Sequence, residues 1–157
     1  MNKGTLRVKN KKLYVIEVND NGETISFDLN DPSLKIRLLK AYDKIKSISA
    51  EYQKEVDEIS KREDVQVDEL TTKNQRDMFD LEYRIYMKMR EIMDMFLGKG
   101  ACQKIFGDLN WPEMWDELFE SLMPEFEKMG IDITDFKNVQ KDMADKYRNE
   151  NEEIEVL

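Results

Sequence analysis

The chain is 157 residues long, 38% of its residues are charged, and its formal net charge is -9 at pH 7. A chain of this length can bury enough apolar surface to fold without a disulfide or a structural metal. The negative charge argues against general nucleic-acid binding, which depends on lysine and arginine at phosphates, and against docking on an anionic membrane. We therefore expect residues 1–157 to form a single domain whose partners are basic or apolar proteins.

Few residues of the chain suit catalysis. It contains no histidine, which excludes Ser-His-Asp and Cys-His arrangements, ordinary zinc hydrolase sites and the di-iron sites of helical bundles. The glycines form no phosphate-binding motif. The single cysteine, Cys102, fits a reducing, cytosolic compartment, and a buried core position is its favoured interpretation over a nucleophile. We predict a protein without catalytic residues, cofactor or metal, and an enzyme that uses carboxylates alone is the alternative.

Residues 1–12 contain five basic residues and no acidic residue. This composition is typical of a solvated arm, and phosphate binding is the alternative. No apolar run in the chain approaches the ~20 residues of a membrane span, and the basic arm lacks the apolar core of a signal peptide. The basic residues of the arm are Lys3, Arg7, Lys9, Lys11 and Lys12.

Residues 13–29 are predicted to form a β-hairpin. Two segments rich in β-branched and aromatic residues flank the turn from Asn19 to Gly22, whose residues accept the positive φ of a tight reversal. A calcium loop is an alternative interpretation of this turn, but apolar strands flank it where such a loop has helices. Because an isolated hairpin is marginal in water, its apolar face should pack on the helices. The residues of that face are Ile25, Phe27 and Leu29.

Residues 31–98 are predicted to form a long antiparallel helical hairpin, which dominates the chain. Asp31 can accept N–H groups of the first turn, and Pro32 suits the first helical position. Apolar residues then follow a heptad-like spacing, interrupted at Ser49. This seam can pack inside the chain or between two chains, so self-association is one of its two interpretations. The seam consists of Leu38, Tyr42, Ile45, Tyr52, Val56 and Ile59.

The reversal of the helical hairpin is predicted between Ser60 and Asn74, where charged and β-branched residues interrupt the pattern. One uninterrupted helix is the alternative, because neither glycine nor proline occurs there. From Asp77 the helical period returns, and Gly98 suits the end of the second helix. The core face of this helix is predicted to contain Met78, Leu81, Ile85, Met89, Ile92 and Phe96.

Three residues are candidate contacts with a protein partner. Tyr83 and Met87 lie opposite the core face of the second helix, and methionine-rich surfaces can adapt to varied apolar partners. Trp111 stands at the entrance of a later helix, where an amphipathic aromatic ring can serve as an interface anchor. The alternative for each residue is packing within its own domain.

Residues 99–147 are predicted to form shorter helices, followed by an acidic tail at residues 148–157. Pro124 interrupts the longest of these helices, so we expect a kink or a break just before it. The last helix should be capped by Asp132 or Thr134. Its apolar face is thin, which predicts weak docking.

Four motifs of the sequence carry a resemblance to a known family. They are Phe27-Asp28-Leu29, Asp31-Pro32, Ile92-Met93-Asp94-Met95-Phe96-Leu97-Gly98-Lys99-Gly100 and Lys104-Ile105-Phe106-Gly107. Together they resemble small acidic proteins of phages and prophages of Gram-positive bacteria. Those proteins are similar to tail-assembly chaperones, which are encoded near the tape measure gene. The likeness covers residues 13–125 and is best from Phe96 to Gly107.

The resemblance implies a non-enzymatic protein in the cytoplasm of the bacterial host. Such a protein would bind an apolar helical client, such as the tape measure protein, with a face lined by methionine and aromatic residues. The alternative is a phage- or prophage-encoded regulatory protein that sequesters a bacterial protein, because acidity and a helical surface serve either role. The resemblance transfers no functional residue to this chain.

Overall fold

The computed structural model of the chain describes residues 2–6, 13–28, 30–110, 112–143 and 145. It is mainly helical with one N-terminal antiparallel hairpin, which confirms the predicted fold class. Leu29, Trp111, most of the basic arm and the acidic tail lie outside the described residues. The elements are β1 (Leu13–Glu17), β2 (Thr24–Asp28), α1 (Ser33–Lys61), α2 (Lys73–Leu97), α3 (Ala101–Phe106), α4 (Pro112–Lys128) and α5 (residues 134–143).

The hairpin turn is stabilised by its own side chains. The Oδ1 atom of Asn19 accepts the backbone N–H groups of Asn21 and Glu23, at 3.0 and 3.2 Å. Gly22 adopts a φ of +75°, a left-handed conformation that favours glycine. The predicted turn is therefore confirmed. The register pairs Leu13 with Asp28, Tyr14 with Phe27, Val15 with Ser26, Ile16 with Ile25 and Glu17 with Thr24.

Helices α1 and α2 form the predicted antiparallel pair, joined by residues 62–72. Glu55 pairs with Arg84 at 3.0 Å, and Glu51, one turn earlier on α1, pairs with Lys88, one turn later on α2, at 3.5 Å. These ion pairs show that the helices run in opposite directions. The prediction of a reversal is confirmed, and the alternative of one uninterrupted helix is wrong.

The loop of residues 62–72 reverses the chain without glycine or proline because side chains satisfy its backbone. Asp64 Oδ1 accepts the N–H of Asn74 at 3.0 Å. Asp68 Oδ1 accepts two further N–H groups within the loop. Thr72 and Gln75 form a capping box that begins α2, in which each side chain accepts the other residue's backbone N–H.

The seam of α1 lies inside the chain. Ile45 and Val56 are fully buried, and Ser49, which interrupts the apolar spacing, is buried between them at 5% exposure. Tyr42 is half-buried. The other seam residues are also buried, namely Leu38, Tyr52 and Ile59. On α2 the whole predicted core face is buried, which confirms that prediction.

Aromatic rings join the hairpin and the last helices to the helical pair. The Phe27 ring of β2 lies edge-on to Phe126 of α4, with 5.4 Å between the ring centroids. The ring centroid of Phe136 on α5 lies 5.0 Å from that of Phe119 and 5.5 Å from that of Phe96. Phe136 and Phe27 are each 2% exposed. The thin apolar face of α5 thus enters the common core of the described residues.

Helix α4 continues through Pro124 to Lys128, so of the predicted kink or break the break is wrong. Proline removes one backbone hydrogen bond from a helix. Leu122 and Phe126, on either side of Pro124, are 4% and 0% exposed. Their packing holds the helix together because tertiary burial contributes more to helix stability than one backbone bond.

The predicted cap of α5 is confirmed, since Asp132 Oδ1 accepts the Thr134 N–H at 2.9 Å.

Candidate functional site

An apolar groove lies between the hairpin, α3 and α4. We call it the hairpin–α4 groove. Its volume is about 390 Å³, which falls within the usual range of binding clefts. The lining residues are Ile16, Glu17, Val18, Ile25, Ile105, Phe106, Leu109, Met114, Glu117, Leu118, Ser121, Leu122 and Glu125.

One wall of the groove follows from the helical spacing of α4. Met114, Leu118 and Leu122 recur at every fourth residue and therefore share one side of the helix. All three line the groove. A second apolar stripe of α4, about a quarter turn away, faces the core. That stripe contains Trp115, Phe119 and Phe126, which are at most 1% exposed.

The opposite wall is formed by the hairpin, which polar contacts hold against α3 and α4. Asn19 Nδ2 donates to the backbone oxygen of Lys104 at 2.9 Å, and Lys104 Nζ donates to the backbone oxygen of Thr24 at 3.1 Å. The hydroxyl of Tyr14 donates to Glu125 Oε2 on α4. These contacts join both ends of the hairpin to the helices, so the groove has defined walls.

The rim of the groove is acidic. Glu17, Glu117 and Glu125 are among its lining residues, whereas none of the described lining residues is lysine or arginine. Glu125 also lies 3.5 Å from Lys128 Nζ, so Glu17 and Glu117 are the acidic groups most available to a ligand. An apolar floor with an acidic rim suits a ligand that combines apolar and basic side chains.

A second exposed surface lies on the back of α2. Phe79 and Tyr83, one turn apart, are 52% and 62% exposed. Met87, a further turn along, is half-buried. The structure thus brings the predicted contacts Tyr83 and Met87 together with Phe79, which the sequence interpretation missed. None of the three lines the hairpin–α4 groove, and the predicted contact Trp111 lies outside the described residues.

The seam residue Tyr52 lines a small, partly open cavity at the edge of the core, together with Trp115 and Gln140. Gln140 is 1% exposed, and no described residue forms a hydrogen bond with its Oε1 atom. The cavity has about 20 Å³ of room for the centre of a water molecule, which is too little for a larger ligand. It is therefore a feature of the core and not a binding cleft.

Cys102 has the surroundings of a structural residue. Its side chain is 1% exposed, and its backbone N–H donates to Asp94 Oδ1 at 2.9 Å. Burial, and then the nearby Asp94 carboxylate, raise the pKa of the Cys102 thiol far above its ordinary value. A thiol of this kind is inert because the thiolate is the nucleophilic form. The prediction of a buried core position is confirmed.

The described part of the chain contains no group of three Cys, Asp or Glu side chains placed to hold a metal ion. In the hairpin turn, Asn19 instead uses its side chain to bind backbone N–H groups. No helix among the described residues has both the length and the apolar character of a membrane span.

Comparisons of the chain with protein-family models, curated proteins and solved structures find no match.

The groove was missed at the level of sequence because it belongs to three elements. The spacing of Met114, Leu118 and Leu122 could have indicated one wall. Leu109 and Ile16 offer no pattern of their own, because each contributes a single side chain from a loop or a short strand. They enter the groove only because the tertiary fold packs the hairpin beside α4.

Proposed function

We propose that the protein is a non-enzymatic, tail-assembly chaperone-like protein that covers an apolar helical segment of a phage tape measure protein. The observation that carries the proposal is the hairpin–α4 groove, with its apolar floor and acidic rim. The resemblance of residues 13–125 to phage proteins of this kind supports the choice of client.

The shape of the groove supports a helical client. An amphipathic helix binds a groove by placing side chains at positions i, i+4 and i+7 on its apolar floor. Leu118 and Leu122 on α4 form the base of the groove, where they are 7% and 4% exposed. The apolar lining that a client can cover is the half-buried Ile16 and Ile105 and the exposed Leu109. Basic residues beside the apolar stripe of the client would meet Glu17 and Glu117.

The net charge of -9 supports a carrier role. A strongly charged protein resists self-aggregation, and a complex with a sticky helical client would share that property. The acidic surface also favours association with a basic client through long-range attraction, which salt weakens.

The test is co-purification of the tagged chain with the tape measure protein encoded in the same phage genome. The informative variant is Leu109→Asp, because Leu109 lines the groove and is 52% exposed. We expect this variant to fold and to bind the client at least about tenfold more weakly, a loss of about 1.4 kcal/mol. The matched control is Leu70→Asp, since Leu70 is 88% exposed on the distant loop of residues 62–72.

Equal recovery of the tape measure protein by both variants would refute the groove as the client site. Recovery of a bacterial host protein alone, lost in Leu109→Asp, would replace the proposal with the regulatory alternative. The position of the gene provides an independent check, since a tape measure gene immediately downstream is expected from the assembly role.

A further inference from the structure

The basic arm and the hairpin–α4 groove are complementary in charge. Residues 1–12 contain five basic residues and no acidic one. The groove has three glutamates among its described lining residues and no base. The two regions thus attract each other at moderate ionic strength, where charges interact over about 8 Å.

The sequence of the arm also matches the apolar floor. Leu6 and Val8 alternate with Arg7 and Lys9. In an extended segment, alternate side chains point to opposite faces. Such a segment could therefore place Leu6 and Val8 on the floor while Arg7 and Lys9 approach the acidic rim.

One edge of the hairpin can accept an extended segment. The Val18 N–H donates to the Glu23 oxygen at 2.9 Å, which sets the alternation of the antiparallel ladder. The N–H and C=O groups of Val15 and Glu17 consequently point away from β2, and no described residue bonds to them. Exposed strand edges of this kind pair with added strands, and Glu17 lies at the groove itself.

The described part of the arm does not cover the groove of its own chain. Residues 2–6 are exposed, and Leu6 retains 96% of its accessible surface. The arm immediately precedes β1 in the sequence, so lying beside that strand in the same molecule would require the chain to reverse within a few residues. A second copy can present its arm to the groove without this reversal.

We propose that the basic arm of one copy binds the hairpin–α4 groove of a second copy as an extended segment along the edge of β1. Reciprocal exchange of two arms closes a twofold-symmetric dimer. The contact buries Leu6 and Val8 and pairs arm cations with Glu17 and Glu117. The α1 seam, which is buried inside each chain, takes no part in it.

This self-association rests on the groove and not on the proposed client. If the groove also serves the client, the two ligands compete, and client binding releases the arm. The dimer would then protect the apolar floor in the absence of client.

The test is sedimentation analysis of the purified full-length chain over a range of concentrations, at low and high salt. The arm variant is Arg7→Glu with Lys9→Glu, and the groove variant is Glu117→Lys. We expect each variant to raise the dimer dissociation constant at least about tenfold, because like charges then face each other. Glu120→Lys is the matched control, since Glu120 is exposed on the same helix outside the groove, and it should dimerise like the wild type.

A mixture of the arm variant and the groove variant provides a complementation test. It contains one intact arm and one intact groove, so we expect heterodimers to form where neither variant dimerises alone. A wild-type chain that stays monomeric at all concentrations would overturn the proposal, as would a dimer that survives both variants. The arm variant keeps an intact groove, so it should still capture the tape measure protein. Its capture of that protein therefore tests the proposed function independently of dimerisation.

Discussion

The helical pair and the hairpin–α4 groove use apolar side chains in opposite ways. Along the α1 seam, Ile45 and Val56 meet α2 and are fully buried. In the groove, Leu109 remains 52% exposed although it lies beside buried leucines of α4. The seam is closed because the long apolar stripe of α1 packs against the apolar stripe of α2. The groove stays open because its lining comes from the hairpin, α3, α4 and the segment between the two helices, and no described residue covers Leu109.

This difference separates the part of the molecule that supports folding from the part that can bind. A closed seam contributes its burial energy to the stability of the chain. In the groove, only the lining that remains exposed, chiefly Leu109, can gain burial energy when a ligand binds. Substitutions in the seam should therefore lower stability, whereas substitutions at the exposed rim of the groove should lower binding.

The largest expected effect is that of Tyr52→Asp in the seam. Tyr52 is 2% exposed, and a buried carboxylate in its place costs several kcal/mol. Because the whole stability of a domain is about 5–15 kcal/mol, we expect the chain to unfold or nearly so, as measured by circular dichroism during urea denaturation. Lys54→Asp, on the exposed side of α1, should change stability little. A folded monomer of Tyr52→Asp would show that the seam is not needed inside the chain.

The next effect is that of Phe27→Ala at the junction between hairpin and helices. Phe27 is 2% exposed and packs edge-on against Phe126. Removing a buried phenylalanine side chain costs about 3–5 kcal/mol, which urea denaturation can measure. Val15→Ala, on the outer face of β1 at 57% exposure, is the control. If both substitutions had the same small effect, the hairpin would not be anchored through its inner face.

The smallest effect concerns pH and the loop end of the helical pair. The Arg62 guanidinium donates to Asp77 and holds the pKa of that carboxyl below its ordinary value of 3.8, with Lys73 adding to the effect. The Asp77 carboxyl therefore binds a proton more readily in the unfolded chain than in the folded one. Its contribution to the free energy of unfolding is complete above pH 3.8, and it is lost as pH falls through the lower pKa of the folded state.

Asp77→Asn should remove this part of the acid sensitivity and cost less than about 1 kcal/mol at pH 7, because solvent screens an exposed ion pair. The measurement is urea denaturation from pH 2 to 7 (roughly the range over which carboxylates titrate). Asp80→Asn, exposed on the same helix, is the control. An unchanged slope of stability against pH in Asp77→Asn would contradict the assigned role of Arg62.

The sequence by itself predicted the elements whose causes are local. The turn at Gly22, the reversal before Asn74, the core face of α2 and the cap at Asp132 each follow from residues a few positions apart. Turn chemistry, helical period and capping act over such distances, so they can be recognised without knowing the rest of the fold.

Features that depend on contacts between residues far apart in the sequence were decided only by the tertiary structure. Pro124 predicts a kink or a break, but the burial of Leu122 and Phe126 keeps α4 continuous. The α1 seam allows either internal or intermolecular packing, and its burial against α2 places it inside the chain. The groove exists because Tyr14, Asn19 and Lys104 hold the hairpin beside α4 and α3. These residues are separated by many positions in the chain, and no local pattern encodes the angle at which their elements meet.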